Sequence, residues 1–324
     1  MISTDAKNIK NILARKSKGQ GIIKAILSKL EDICFGPYYF EVAMMFRQSL
    51  FLNSILLNSE VWYNLTTKDI QELESVDTEL LRRILEAPVS TPTCMLFLEL
   101  GCIPLRYAVM QRRQMFLHYV LQQNPDSLLL KCLNVQIKHL DKWDWINQIY
   151  NDLTELKITL TFEQIRLHSK EMFRSLVHKA IIQAALCWLN KKKIGKNEKD
   201  KRSKVCNVKH ESLEIQKYFQ PNELNNKQKK LLFSLKSRMV DVRENYKQRY
   251  NNDTTCRLCL TQSESQQHIL TCSEILKDMN IVSDNHIEYE DIFSPDVSKQ
   301  ISVTRLFESL YNRRCVLLKK KNET

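Results

Sequence analysis

Glycine and proline are scarce: the 324 residues include 5 Gly and 7 Pro. Sandwiches, barrels and doubly wound sheets need a turn rich in those residues every ten positions or so, so the shortage excludes them and predicts a mainly α protein. Long apolar runs are missing too. A membrane span needs roughly 18 uninterrupted apolar residues, and charges or amides break every stretch, including Met44 to Leu57. No membrane partner is expected. The amino end, Met1 to Lys18, lacks the apolar core and small-residue cleavage site of a secretory signal. An intracellular, reducing setting, cytoplasmic or nuclear, is therefore expected. In that setting the ten cysteines serve as free thiols or metal ligands rather than bridges.

Catalytic signatures are equally absent. The chain has no Gly-x-Ser-x-Gly elbow, phosphate loop, Gly-x-Gly-x-x-Gly or His-Glu-x-x-His. No adjacent Asp-Asp pair exists to hold two magnesium ions for nucleotidyl transfer. The expectation is a protein without an active site of its own.

What is abundant is positive charge, and it is concentrated. The formal net charge is +12, with 49 Lys and Arg against 37 Asp and Glu. Residues 191–253 alone carry 18 basic and 8 acidic side chains, opening with Lys191, Lys192 and Lys193 and continuing through Lys196, Lys199, Lys201, Arg202 and Lys204. Few apolar residues interrupt that opening, so a solvated linker or arm is expected. Phosphate neutralisation with release of counterions is the functional reading, because further cations follow (Lys227, Lys229, Lys230, Lys236, Arg238, Arg243, Lys247, Arg249). An ordinary solvated linker is the rival.

Helical patterns fill the remainder. A Gly19-Gln20-Gly21 turn is expected to precede a helix with Ile22, Ile23, Ile26, Leu27, Leu30 and Ile33 on one face, closed by Gly36-Pro37. A second helix is expected over Glu41 to Asn58. Thr66 caps a third, whose buried stripe runs from Ile70 to Leu85 before Pro88 and Pro92. A short helix ends at Gly101. Pro104 opens the next as its first residue, reaching about Gln123 with Arg106, Arg112 and Arg113 exposed or half exposed. Further helices are expected near 143–153, 162–190 (Thr161 and Gln164 forming a capping box), 222–250 and 299–320. Trp62, Tyr63, Trp143 and Trp145 are interleaved with aliphatic residues and read as core rather than as base-stacking platforms. Asp284, Asn285 and His286 with Glu288, Glu290 and Asp291 read as an acidic solvated loop rather than a cation site.

One spacing carries chemistry. Cys256, Cys259, His268 and Cys272 form Cys-x2-Cys-x8-His-x3-Cys. Zinc takes four N/S ligands at tetrahedral corners; a Cys-x2-Cys turn supplies two, and a His-x3-Cys pair lies one helical turn apart on one face. Four protein ligands leave no position for water, so a single structural zinc is expected, folding a segment too polar to have its own core. Coincident free thiols or a redox Cys-x-x-Cys are the alternative. Arg257 is the only basic residue between the outer ligands, and both direct nucleic-acid contact and a structural role are open to the knuckle.

Several blocks resemble one family. Arg47-Gln48-Ser49-Leu50, Leu56 to Thr66 with Ser59-Glu60-Val61-Trp62-Tyr63 at its centre, and Leu73-Glu74-Ser75-Val76-Asp77 are similar to the region after the palm in reverse transcriptases of non-LTR (LINE-like) retrotransposons. Leu98-Glu99-Leu100-Gly101, Pro104-Leu105-Arg106 and Arg112-Arg113 resemble that family's helical thumb, and the cysteine-histidine motif resembles its carboxyl-terminal knuckle. The resemblance spans about residues 12 to 275 and implies a thumb-like domain over 1–190, a basic linker and helical connector over 191–253, and a knuckle with a carboxyl-terminal helix over 254–324. It implies RNA or DNA as partner, template-primer or target. Fingers, palm and the aromatic-x-Asp-Asp motif are missing, and Ser294-Pro295-Asp296 alone makes no endonuclease signature. A protein partner over a thumb face left bare by the missing palm is the rival expectation.

Overall fold

The computed structural model describes residues 9–63, 65–139, 144–194, 210–280 and 287–323. It is mainly helical, with 69% helix and no strand among the described residues. The first helices run α1 (Ile9–Glu31), α2 (Tyr39–Phe46), a π-helical turn (Arg47–Leu52), α3 (Asn53–Ile55) and α4 (Thr67–Leu85). Helix α1 passes straight through Gly19 and Gly21, so the expected turn is absent. Gly19 serves close packing instead: a Cβ there would lie 2.9 Å from Val76 Cγ1 of α4. Thr66 caps α4 through a capping box with Asp69, and the expected stripe is buried from Leu73 to Leu85, with Ile70 at its start half-buried.

Next come α5 (Thr93–Glu99), α6 (Leu105–Leu121), α7 (Leu128–Lys138), α8 (Trp145–Glu155), α9 (Phe162–Leu167) and α10 (Lys170–Ile194). Pro104 is the residue before α6, one position short of the expected place. Helix α6 is central, packing against α4, α7, α8, α9 and α10. The single helix expected over 162–190 is two. Thr161 and Gln164 form the expected box, but His168 turns extended and Ser169 Oγ accepts from the Met172 N–H, restarting the chain as α10. Trp62 is core, Trp145 is half-buried with its indole N–H on the Glu60 carbonyl at 2.8 Å, and Trp143 lies outside the described residues. Tyr63 is exposed.

From residue 210 the chain is packed, not a solvated arm. Leu213, Tyr218, Phe219, Leu224, Leu232, Phe233, Leu235, Val240 and Val242 are all buried. The helix expected over 222–250 is instead α11 (Asn226–Lys236) and, after an irregular stretch, a 3-10 turn (Lys247–Tyr250). Helix α11 ends because the Ser237 hydroxyl bonds back to the Phe233 carbonyl and Arg238 takes a left-handed φ of 53°. Several cations of 210–253 are engaged within the chain, while Lys217, Lys227, Lys247 and Arg249 are exposed. Lys236 reaches Glu99, Lys229 donates to the Phe219 and Gln220 carbonyls, and Lys230 and Arg243 pair with Glu86 and Asp253. The chain finishes with α12 (Gln266–Thr271), α13 (Ser273–Asp278) and α14 (Val297–Glu323). Helix α14 packs across α11, α12 and α13, which makes it the spine of this half.

Candidate functional site

The Cys-His segment folds by local rules before any metal is considered. Thr255 and Ser263 form an isolated antiparallel bridge, with the Cys256 N–H on the Gln262 carbonyl at 2.8 Å and the Leu260 N–H on the Cys256 carbonyl at 2.9 Å. Leu260 sits at φ 59° to reverse the chain, so Cys256 and Cys259 share one tight turn. Ser265 then caps α12 by accepting from the His268 N–H. This places His268 one turn before Cys272.

The four side chains converge. Their ligand atoms all lie within 4.8 Å of one another, with 4.0 Å between Cys256 Sγ and Cys272 Sγ and 3.4 Å between Cys259 Sγ and His268 Nε2. A tetrahedral zinc with bonds of about 2.3 Å to sulfur and 2.0 Å to nitrogen sets such edges at roughly 3.5 to 3.8 Å, so the donor set and its spacing fit one zinc ion. The imidazole is aimed for this: Nδ1 bonds Gln262 Oε1 at 2.8 Å, leaving Nε2 toward the sulfurs. The Thr261 hydroxyl donates to Cys259 Sγ at 3.3 Å. Cys256 is pulled well below an ordinary thiol, chiefly by the hydrogen bond from Cys272, and a thiolate is what a metal takes.

The knuckle is built into the fold. Ile269, Cys272 and Ile275 are buried. Glu264, fully buried, accepts from the Arg243 N–H and from Arg314 of α14. Gln266 donates to the Leu235 carbonyl and accepts from the Tyr289 hydroxyl. Arg257 is exposed but engaged: it donates to Asn322 Oδ1 at 2.5 Å while Lys321 donates to its carbonyl at 2.8 Å.

The expected phosphate-binding cations divide into three groups. Lys191 and Lys192 are exposed at the end of α10, with the Lys192 ammonium 3.8 Å over the Trp188 ring. Lys193 belongs to the same helix. Lys196, Lys199, Lys201, Arg202 and Lys204 lie outside the described residues, as do Asp284, Asn285 and His286. The chain on either side of the undescribed 195–209 comes together where Asn190 donates to the His210 carbonyl at 3.1 Å. Arg112 is half-buried, bonding the Leu56 carbonyl at 2.9 Å and Asn53 Oδ1 at 2.6 Å. Arg113 is a correction: it is neither exposed nor half exposed, but buried and spent on Asp152. The pattern misled because Arg112 and Arg113 are neighbours, and adjacent helical residues point about 100° apart.

Sequence reasoning missed a groove of about 810 Å3 along α6, lined among others by Arg112, Tyr119, Lys170 and Arg174. Ser169 with cations four apart after it was a readable signal. Among the described residues no helix is long and apolar enough to cross a membrane. Comparison with family models, curated proteins and solved structures returns no match.

Proposed function

We propose that this chain is a non-catalytic nucleic-acid-binding piece of a non-LTR retrotransposon reverse transcriptase, or a protein derived from one: a thumb-like helical part, a basic segment and one structural zinc. The observation that carries it is the joining of two features. The excess of ten positive charges over residues 191–253 runs directly into a closed three-cysteine, one-histidine cluster. The packing of 210–253 sharpens the reading. With Lys229, Lys230, Lys236 and Arg243 engaged within the chain, the charge left for phosphates is Lys191, Lys192 and the residues after them, together with the exposed Lys217, Lys227, Lys247 and Arg249. The missing palm motif assigns no nucleotidyl transfer to these residues.

The test is binding of RNA, DNA and hybrid oligonucleotides by the whole zinc-loaded chain across a salt series. Affinity falling steeply between about 50 and 200 mM salt is expected for several phosphate contacts. No affinity at the low end, or affinity indifferent to salt, would remove the proposal. A second reading, a helical assembly piece, is favoured by Phe35 and Val89, which are 98% and 86% exposed; Val89 and Cys34, the neighbour of Phe35, line a groove of about 680 Å3 with residues of α1 and α4 and Lys230. Concentration-dependent self-association lost in Phe35→Ser would support it.

A further inference from the structure

We propose that the groove between α6 and the start of α10 holds a single nucleic-acid strand, one base against Tyr119 and the neighbouring phosphates on Lys170 and Arg174. This rests on the reading that the chain binds nucleic acid, and it names the place and the form of the ligand.

Three observations converge on that groove. The first is its cations. Lys170 and Arg174 are exposed, stand one turn apart on α10, and pair with no carboxylate among the described residues. Lys170 opens a helix of 25 residues and Arg174 follows in its second turn; the macrodipole at that end disfavours positive charge and welcomes an anion. Arg112 lies on the same groove. The lining carboxylate, Glu60, sits in the field of Arg15 and Arg112, so it does not cancel the α10 cations.

The second is a rigid aromatic face. Tyr119 is 53% exposed, and Phe116 lies behind it, ring centroids 6.0 Å apart and planes at 23°. Phe116 is itself held edge-on by Trp145 at 5.7 Å. An exposed ring backed by a second ring that is itself held in place loses little freedom when a base stacks on it, and stacking on an aromatic side chain accepts any base. The third is size and chemistry. A volume of about 810 Å3 lies within the roughly 300–1,000 Å3 of pockets that take drug-sized ligands. One to a few splayed nucleotides fit that scale, and a base must leave its duplex to stack on protein. Gln111 also lines the groove, its amide a donor and acceptor suited to base edges, beside Gln122, whose amide donates to the Arg166 carbonyl.

The experiment is fluorescence anisotropy of a short labelled single strand, its duplex and poly-glutamate with the full zinc-loaded chain. It compares wild type with Tyr119→Ala, Tyr119→Phe and the double variant Lys170→Gln/Arg174→Gln, each matched to wild type by thermal melt. Tyr119→Ala is expected to weaken single-strand binding roughly 5- to 150-fold, while Tyr119→Phe keeps it. The double variant is expected to make the salt slope shallower by about 1.4, two single-strand phosphate contacts. Wild type binding the strand with no change in either Tyr119→Ala or the double variant overturns the groove alone. So does equal affinity for poly-glutamate, or a preference for duplex. No nucleic-acid binding by wild type at low salt overturns the underlying reading.

Discussion

Arg113 of α6 and Asp152 of α8 form a two-pronged ion pair, Nε to Oδ2 at 2.7 Å and Nη2 to Oδ1 at 2.8 Å, with both side chains almost wholly enclosed. Gln148 adds a third donor to Oδ1 at 3.3 Å. Burial pushes the Asp152 carboxyl up in spite of the guanidinium beside it, so desolvation outweighs pairing there. The same geometry recurs where Arg47 grips Asp77 at 2.7 and 2.6 Å and also reaches the Ile103 carbonyl. Two arginines that a charge count assigns to the surface therefore tie helices together inside.

Breaking one side of such a pair strands a buried charge. Arg113→Ala is expected to cost on the order of 3–5 kcal/mol of stability, and the paired change Arg113→Met with Asp152→Leu to recover most of it. Urea unfolding midpoints measure this. Nucleic-acid affinity per folded molecule should stay at the wild-type level; a selective loss of affinity with stability intact would return Arg113 to the binding surface.

Glu99 predicts an acid limb. Burial pushes its carboxyl up, but Lys236, His210 and the Tyr218 hydroxyl at 2.8 Å pull harder, and it settles at about 2. A carboxylate depressed in the folded state stabilises fully above its unfolded value and loses that contribution as pH falls through the folded one. The drop from an ordinary 4.5 amounts to about 3 kcal/mol, shed between roughly pH 5 and 2. Glu99→Gln should lack that slope. Parallel stability curves for the two proteins between pH 5 and 2 would show that the cluster does not hold its charge.

Gly101 and Gly21 should respond oppositely to alanine. Gly101 has φ 62°, and a Cβ there would sit 2.0 Å from the Glu214 carbonyl carbon, where the Leu100–Ile215 bridge and the Gln216 N–H to Glu99 carbonyl bond bring the two chain segments together. Gly101→Ala thus meets both the left-handed penalty of about 1–2 kcal/mol and backbone overlap. Gly21 is exposed within α1 with nothing within 4 Å, so Gly21→Ala should stabilise by about 1 kcal/mol. Thermal melts of the two variants decide it.

The helices were legible because their periodicity and caps are local. The Thr66 cap and the Thr161–Gln164 box sit where the pattern puts them, and the four cysteine and histidine residues that come together were readable from spacing alone. What failed depends on contacts between distant segments. Gly19 is a turn residue in isolation and a packing residue once Val76 is opposite it. Lys236 is one more cation of a basic run until Glu99, far back in the chain, is found beside it. Tyr119, Lys170 and Arg174 share a groove only because α6 and α10 pack together, which no local pattern records.

The four converging cysteine and histidine side chains make the last prediction. Gln262 is not one of the four converging side chains, but it alone among the described residues bonds Nδ1 of His268, at 2.8 Å. Losing an orienting partner of this kind costs about 10- to 100-fold in metal affinity. Gln262→Ala should therefore bind one zinc at saturation yet release it to a weaker chelator than wild type does. Cys272→Ser, which removes a buried ligand, should lose the stoichiometric metal altogether. The structural consequence should reach beyond the knuckle, because Ile269 and Ile275 are buried beside α14 and Arg314 of α14 is pinned to Glu264. Chelation is expected to raise hydrogen exchange over 254–278 and over α14 together, with α6 and α8 unchanged. Exchange confined to 254–272 would mean that α14 is held by α11 and the 3-10 turn at Tyr289–Phe293 without help from the cysteine-histidine segment. A wild-type chain carrying no zinc, with unchanged exchange in Cys272→Ser, would leave the four side chains as ordinary thiols and an imidazole.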